Sequence, residues 1–142
     1  MKVDVFTDGA CVVQEKIGGW AIVSTDGTIK RSGAKTNTTN NEMELQAVLE
    51  AINSCKHKYR EEVRIHSDSE YVINTMTKWA ANWEANNWTK KKGSIKNLDL
   101  IKEIFSLVKI YNIKFIKVKA HDNNTYNEIA DKLAKQAMRS IQ

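Results

Sequence analysis

The run Val3-Asp4-Val5-Phe6-Thr7-Asp8-Gly9 constrains the fold more than any other stretch. Its β-branched and aromatic residues predict a strand, with Val3 and Val5 on one face and Phe6 on the other. A strand that is apolar on both faces has to be covered on both, which places it in the middle of a sheet between two layers. Read from Met1, it ends at Thr7-Asp8-Gly9 and so sets a carboxylate at its C-terminal tip, where ligands bind in open α/β sheets.

The rest of the chain supplies the partners. Ala10 to Gly19 is read as a loop, and Trp20 to Ser24 as a second strand. Asp26-Gly27 is a two-residue hairpin signal that turns the chain into a third strand over Thr28 to Lys35. Thr39-Asn40-Asn41-Glu42 matches a capping box and opens a helix to about Cys55, with Ala47, Val48, Ala51 and Ile52 on its apolar stripe. A fourth strand, Glu61 to Ser67, runs into a second capping box, Ser67 to Glu70, and a helix through Met76. Lys78 to Asn97 reads as a short helix and an exposed basic loop, with tryptophans followed by Lys90-Lys91-Lys92. An amphipathic helix (Leu98 to Ile110), a fifth strand (Ile113 to Lys119) and a helix opened by a third capping box at Thr125 complete the chain. The expected fold class is α/β: a mixed five-stranded sheet, with β1–β3 an antiparallel meander and β4 and β5 parallel to β1, flanked by helices.

Composition sets bounds on function. The 142 residues fit one domain, 1–142, and 42% hydrophobic content is enough for a single core. No window approaches the roughly 20 apolar residues of a membrane span, so no membrane partner is expected. The two cysteines, Cys11 and Cys55, lack metal-ligand spacing and fit a reducing, cytoplasmic setting. A net charge of +5 hints at a polyanionic partner.

Four acids fall at strand tips or on inward helix faces: Asp8, Glu44, Asp68 and Asp131. Taken singly, each has a plainer explanation. Glu44 could sit at the edge of its apolar stripe with its head in water, as could Asp131, and Asp68 suits the first turn of a helix. Asp8 lacks an obvious structural role. Together, four acids without histidine or cysteine ligands suit Mg²⁺ or Mn²⁺ and not zinc.

Four stretches carry a specific likeness: FTDG (Phe6 to Gly9), TTNNEMEL (Thr38 to Leu45), HSDSEYV (His66 to Val72) and VKAHDNNTYNEIADKLA (Val118 to Ala134). In this order and at these separations, they make the chain resemble type 1 ribonuclease H of the single-domain bacterial kind over nearly its full length. The resemblance implies a ribonuclease H-like fold and an endoribonuclease that hydrolyses the RNA strand of RNA–DNA hybrids by a two-metal-ion mechanism. It further implies 5′-phosphate and 3′-hydroxyl ends, little sequence preference, two Mg²⁺ per site with substrate bound (Mn²⁺ as the alternative) and a monomer. Asp8, Glu44, Asp68 and Asp131 correspond to the metal-binding acids, and His121 to a mobile catalytic histidine. Cys11, Asn40, Asn41, Ser69 and Glu70 correspond to positions that touch the hybrid, chiefly its RNA strand. Thr39, Trp79 and Asn97 match positions that hold the DNA strand and a phosphate, and Trp83 to Lys92, with Lys90, Lys91 and Lys92, matches a basic protrusion.

Some positions depart from the pattern. The first loop, CVVQEKIGG, lacks the family's asparagine; Ala10 replaces a common serine, Glu70 a glutamine, and Ala120 a glycine. None of these removes a metal ligand. A hybrid-binding module without chemistry, or another nuclease of the same fold, is the alternative on these residues.

Overall fold

The computed structural model describes residues 1–119 and 124–142. Its centre is a five-stranded sheet in the order β3-β2-β1-β4-β5, formed by β1 (Lys2–Val12), β2 (Ile17–Ser24), β3 (Lys30–Lys35), β4 (Glu62–Ser67) and β5 (Ile113–Lys117). β1 to β3 form an antiparallel meander, β1 and β4 are parallel, and β4 and β5 are parallel. The helices are α1 (Asn40–Cys55), α2 (Glu70–Asn74), α3 (Ala80–Ala85), α4 (Leu98–Ile110) and α5 (Thr125–Ile141), and a π-helical turn over Thr75–Trp79 joins α2 to α3. The expected mixed sheet is therefore the one found. Among the described residues no helix is long and apolar enough to cross a membrane.

β1 is central and covered on both faces. Val3 and Val5 are buried in the main core with Val48, Ile52 and Ile65. Phe6, on the opposite face, packs with Val118 and Ala130. The Phe6 ring is stacked on His66 with centroids 4.3 Å apart and lies 5.6 Å from Tyr126 of α5.

The sequence reading ended β1 too early. The strand runs through Gly9 to Val12, because it pairs with β2 residue for residue from Val5↔Ser24 to Val12↔Ile17. The stretch read as a loop is a long hairpin with a tight turn, closed by the Glu15 amide donating to the Val12 carbonyl at 3.2 Å. Parallel pairing with β4 nevertheless stops at Phe6↔His66. Asp8 therefore sits two residues beyond the parallel part of the sheet, on a stretch of β1 bonded to β2 alone. A ligand-binding crevice at the strands' carboxyl ends survives, although the strand itself does not end there.

Gly9 acts as a contact surface. A Cβ at this position would lie 2.5 Å from the Glu44 amide nitrogen and 2.7 Å from the Met43 carbonyl carbon, both of them backbone atoms of α1. Gly19 does the same for α5, where a Cβ would lie 2.3 Å from the Ala134 carbonyl oxygen. These two glycines let one helix settle on each side of the strand pair.

The caps differ in detail from the predicted boxes. Thr39 caps α1 as expected, its hydroxyl accepting from the Glu42 amide at 3.1 Å, while the Glu42 carboxylate turns to the Thr38 hydroxyl at 2.6 Å. The cap of α2 is Ser69 and not Ser67, since Ser67 closes β4 by accepting from the Val118 amide at 2.8 Å. Asn124 and not Thr125 caps α5, accepting from the amides of Tyr126 and Asn127.

Replacing Gly9 with alanine forces α1 off β1. We expect Gly9→Ala to cost about 2 to 3 kcal/mol in urea unfolding. Unchanged stability would show that the helix is not seated on this glycine.

Candidate active site

The site forms where the helix layer meets the open end of the parallel strands. Asp8 comes from β1, Glu44 from the first turns of α1, and Asp68 from the junction between β4 and α2. One carboxylate oxygen of each lies within 4.8 Å of the others. Glu44 lies on the same buried face of α1 as Ala47, Val48 and Ala51, and at 6% exposure it is inside that stripe and not at its edge. Asp8 is 4% exposed.

Both acids are held above the ordinary carboxylate range. For Asp8 the main cause is burial, followed by the negative charges of Glu44 and Asp68 and then by a hydrogen bond and charge from Asp131. For Glu44 burial is again first and the charge of Asp68 second, while the Gly9 amide and the Asp8 carboxyl favour the ionised form. Glu44 Oε1 is buried without a hydrogen-bond partner among the described residues. A buried acceptor of this kind costs free energy unless a cation or donor meets it.

The donor set fits a hard divalent cation. Among the described residues three carboxylates converge, no histidine or cysteine takes part, and a ligand oxygen is left over. Asp131 borders the group and influences both buried acids. It is not one of the three within mutual reach: its side chain is 42% exposed and paired with Lys135 at 3.1 Å, one helical turn on. His121 lies outside the described residues.

The other sequence-predicted residues fall on surfaces flanking this group. Asn40 and Asn41 are exposed at the start of α1, and Ser69 and Glu70 stand at the start of α2. The partly buried Cys11 thiol lies 3.8 Å from the Thr38 carbonyl, to which it donates weakly. Thr39, Asn41, Tyr71, Lys96 and Asn97 line one cleft. There Asn97 has left-handed backbone geometry (φ 58°), and its side-chain amide donates to the Tyr71 hydroxyl at 3.3 Å.

An adjoining cleft is lined by Tyr71, Trp79, Trp83, Lys90, Ile95 and Lys96. Trp79 and Trp83 stand 6.1 Å apart, yet Trp79 is 39% exposed, so the pair is both a packed cluster and an open surface. Lys90, Lys91 and Lys92 are all exposed on the loop beyond α3. Tyr71 and Lys96 were missed from sequence. Tyr71 stood in the HSDSEYV stretch without an assigned role, whereas Lys96, next to Asn97, already lay inside the basic loop read from sequence and could have been singled out with Lys90 to Lys92.

The family model described as RNase H matches residues 1–139. The chain is similar to the ribonuclease H of Caldicellulosiruptor saccharolyticus, at 36% identity over 99% of this chain and 98% of that protein. It is 41% identical to the ribonuclease H of Chlorobium phaeobacteroides, covering 98% of this chain and 97% of the other. With the ribonuclease H of Francisella philomiragia the identity is 43%, over 99% and 93% of the two chains. Among solved structures, LC9-RNase H1, described as a type 1 RNase H with the type 2 active-site motif, matches with a TM-score of 0.84 and 29% identity. That match covers 99% of this chain and 74% of the other.

Crowding acids in a dry site costs stability when no cation is bound. The raised affinities for protons mean that the folded state binds more protons than the unfolded chain above the ordinary carboxylate range, about pH 4, so stability falls as pH rises. In metal-free protein Asp8→Asn should therefore gain about 1 to 3 kcal/mol at pH 8. The gain should shrink as pH falls towards 4 and be offset by adding Mg²⁺ to the parent. Thermal melts across pH check this, and a variant less stable than the metal-free parent at pH 8 would contradict it.

Proposed function

This chain belongs to the RNase H family, and we propose that it hydrolyses the RNA strand of RNA–DNA hybrids at the Asp8–Glu44–Asp68 cluster, with Asp131 completing the set. The observation that carries this reading is the convergence of three carboxylates within 4.8 Å, with a buried Glu44 oxygen that has no partner among the described residues, in a chain matched by the family over residues 1–139.

Asp8, Glu44, Asp68 and Asp131 would hold two divalent cations, Mg²⁺ being the one proposed. When bound, such ions lower the pKa of the attacking water and neutralise charge on the phosphate and the departing oxygen. Asp8, buried and influenced by all three other acids, would serve both. The water oxygen forms a bond to phosphorus as the bond to the 3′ oxygen breaks, leaving a 5′-phosphate and a 3′-hydroxyl. His121, as the resemblance implies, carries a proton during this exchange, which suits a side chain that titrates near neutrality.

The flanking residues bind the duplex. Thr39 and Ser69 each accept a helix amide with their hydroxyl oxygen, which leaves the O–H free to donate to the nucleic acid. Ser69, with Asn40, Asn41, Cys11 and Glu70, faces an RNA strand read through its 2′-hydroxyls in a wide, shallow minor groove. The cleft of Thr39, Lys96 and Asn97 takes a phosphate of the DNA strand, and Trp79 offers an apolar surface to its sugars. Lys90, Lys91 and Lys92 add charge without base contacts, so affinity depends on salt and sequence preference is low.

Asp8→Asn should lower kcat on the order of a thousandfold or more while the far-ultraviolet circular dichroism stays native. EDTA should stop turnover of the parent. Cleavage of a labelled hybrid at the parent rate by Asp8→Asn, or in EDTA, would refute the assignment.

Neutralising Lys90, Lys91 and Lys92 together should raise KM. It should also reduce the slope of log KM against log salt by about one for each lysine that meets a phosphate. An unchanged salt response would remove this loop from the binding surface.

A further inference from the structure

The backbone that presents Asp68 belongs to neither neighbouring element. β4 ends at Ser67 and α2 begins at Glu70, so the Asp68 carbonyl lies outside both hydrogen-bond ladders. The junction is tied from several sides. The Ser67 carbonyl accepts from the Val118 amide at 2.8 Å, and the Ser67 hydroxyl accepts from the Ser69 amide at 3.1 Å. The third tie is a side chain: the ammonium of Lys117, at the end of β5, donates to the Asp68 carbonyl at 2.9 Å and to the Val118 carbonyl at 3.1 Å.

This arrangement is unusual for an exposed strand lysine. Fixing a lysine side chain gives up much rotamer freedom, and a fully hydrated ammonium gains little from an ordinary surface contact. Here both acceptors are main-chain carbonyls, one of them from the residue whose carboxylate joins Asp8 and Glu44. Parallel pairing aligns Ser67 with Lys117, so the end of β5 is in register with the residue before Asp68.

We propose that Lys117 is a positioning residue that clamps the Asp68 backbone to the end of β5 and so fixes the third carboxylate of the cluster against the other two. This rests on the reading of that cluster as the active site. In this role Lys117 acts without touching the hybrid or the reacting phosphate. Its effect passes through the orientation of Asp68, just as outer-layer hydrogen bonds hold metal ligands in place elsewhere.

The test compares the parent with Lys117→Met, which keeps the stem and loses the donor, and Lys117→Arg, which restores a cation able to reach both carbonyls. Calorimetric titration of the substrate-free protein with Mn²⁺ should show binding weakened about tenfold in Lys117→Met and largely recovered in Lys117→Arg. In hybrid cleavage Lys117→Met should lower kcat by a similar factor with KM unchanged. Mn²⁺ binding equal to the parent in Lys117→Met would overturn the proposal. So would a rise in KM with kcat and Mn²⁺ affinity unchanged, which would make Lys117 a contact to the duplex. If the parent binds Mn²⁺ but cleaves no hybrid, the proposed function fails while the calorimetric comparison still decides the role of Lys117.

Discussion

Two carboxylates buried against one another set the terms for the rest of the molecule. Asp8 and Glu44 are nearly inaccessible, and each is disfavoured as an anion by burial first and by neighbouring charge second. Left free, such groups would separate or draw in water. They are kept together because they sit on rigid supports that are costly to move. Asp8 is fixed by continuous pairing of β1 with β2, and Glu44 by a helix whose backbone rests directly on Gly9. The free energy stored in the pair is available to anything positive that enters, which is how a site is made ready for a cation before one arrives.

The topology makes that crowding possible. Parallel pairing of β1 with β4 stops at Phe6↔His66, while pairing with β2 continues to Val12. One edge of β1 is thus open beyond Phe6, and a residue from the helix layer on one face can meet a residue pointing to the other. Asp8 shares its face with Phe6 and Ala10, which pack towards α5, whereas Gly9 lies under α1. Asp68 enters the same gap from the end of β4. Had the two strands remained paired to Gly9, the sheet itself would have separated Glu44 from Asp8.

How much of this could be read in advance depends on how local the cause is. The central strand, the Asp26-Gly27 hairpin and the helix stripes were legible because periodicity and turn chemistry act over a few residues. The end of β1 was not, because glycine ordinarily marks a stop. Here it marks the approach of a helix that lies far along the chain, and nothing near Gly9 announces it. Periodicity put Glu44 on the apolar stripe of α1 but left open whether its head reached water, and that question is settled only by the strand beneath it. The caps at Ser67 and Thr125 were displaced for a similar reason: Ser67 was already committed to β5 through the Val118 amide, and Asn124 offered a better acceptor one residue before the predicted cap. The π-helical turn at Thr75–Trp79, which helps set where Trp79 faces, carries no glycine or proline to signal it.

The site and its surroundings are built to different standards, and the difference follows from what each has to do. A cation bound by a few oxygens tolerates errors of a few tenths of an ångström, and the three carboxylates able to hold one come from a strand, a helix and a junction tied on several sides. A polyanionic duplex is attracted over roughly a Debye length and accepts many arrangements of charge. In the function proposed, the exposed lysines on the loop after α3 would be sufficient for that. Lys117 belongs to the first group although it resembles the second: it is a surface lysine by exposure, but its ammonium is committed to two carbonyls at the edge of the acidic cluster. Charge alone therefore does not sort these lysines into binding and positioning roles; the partners of each ammonium do.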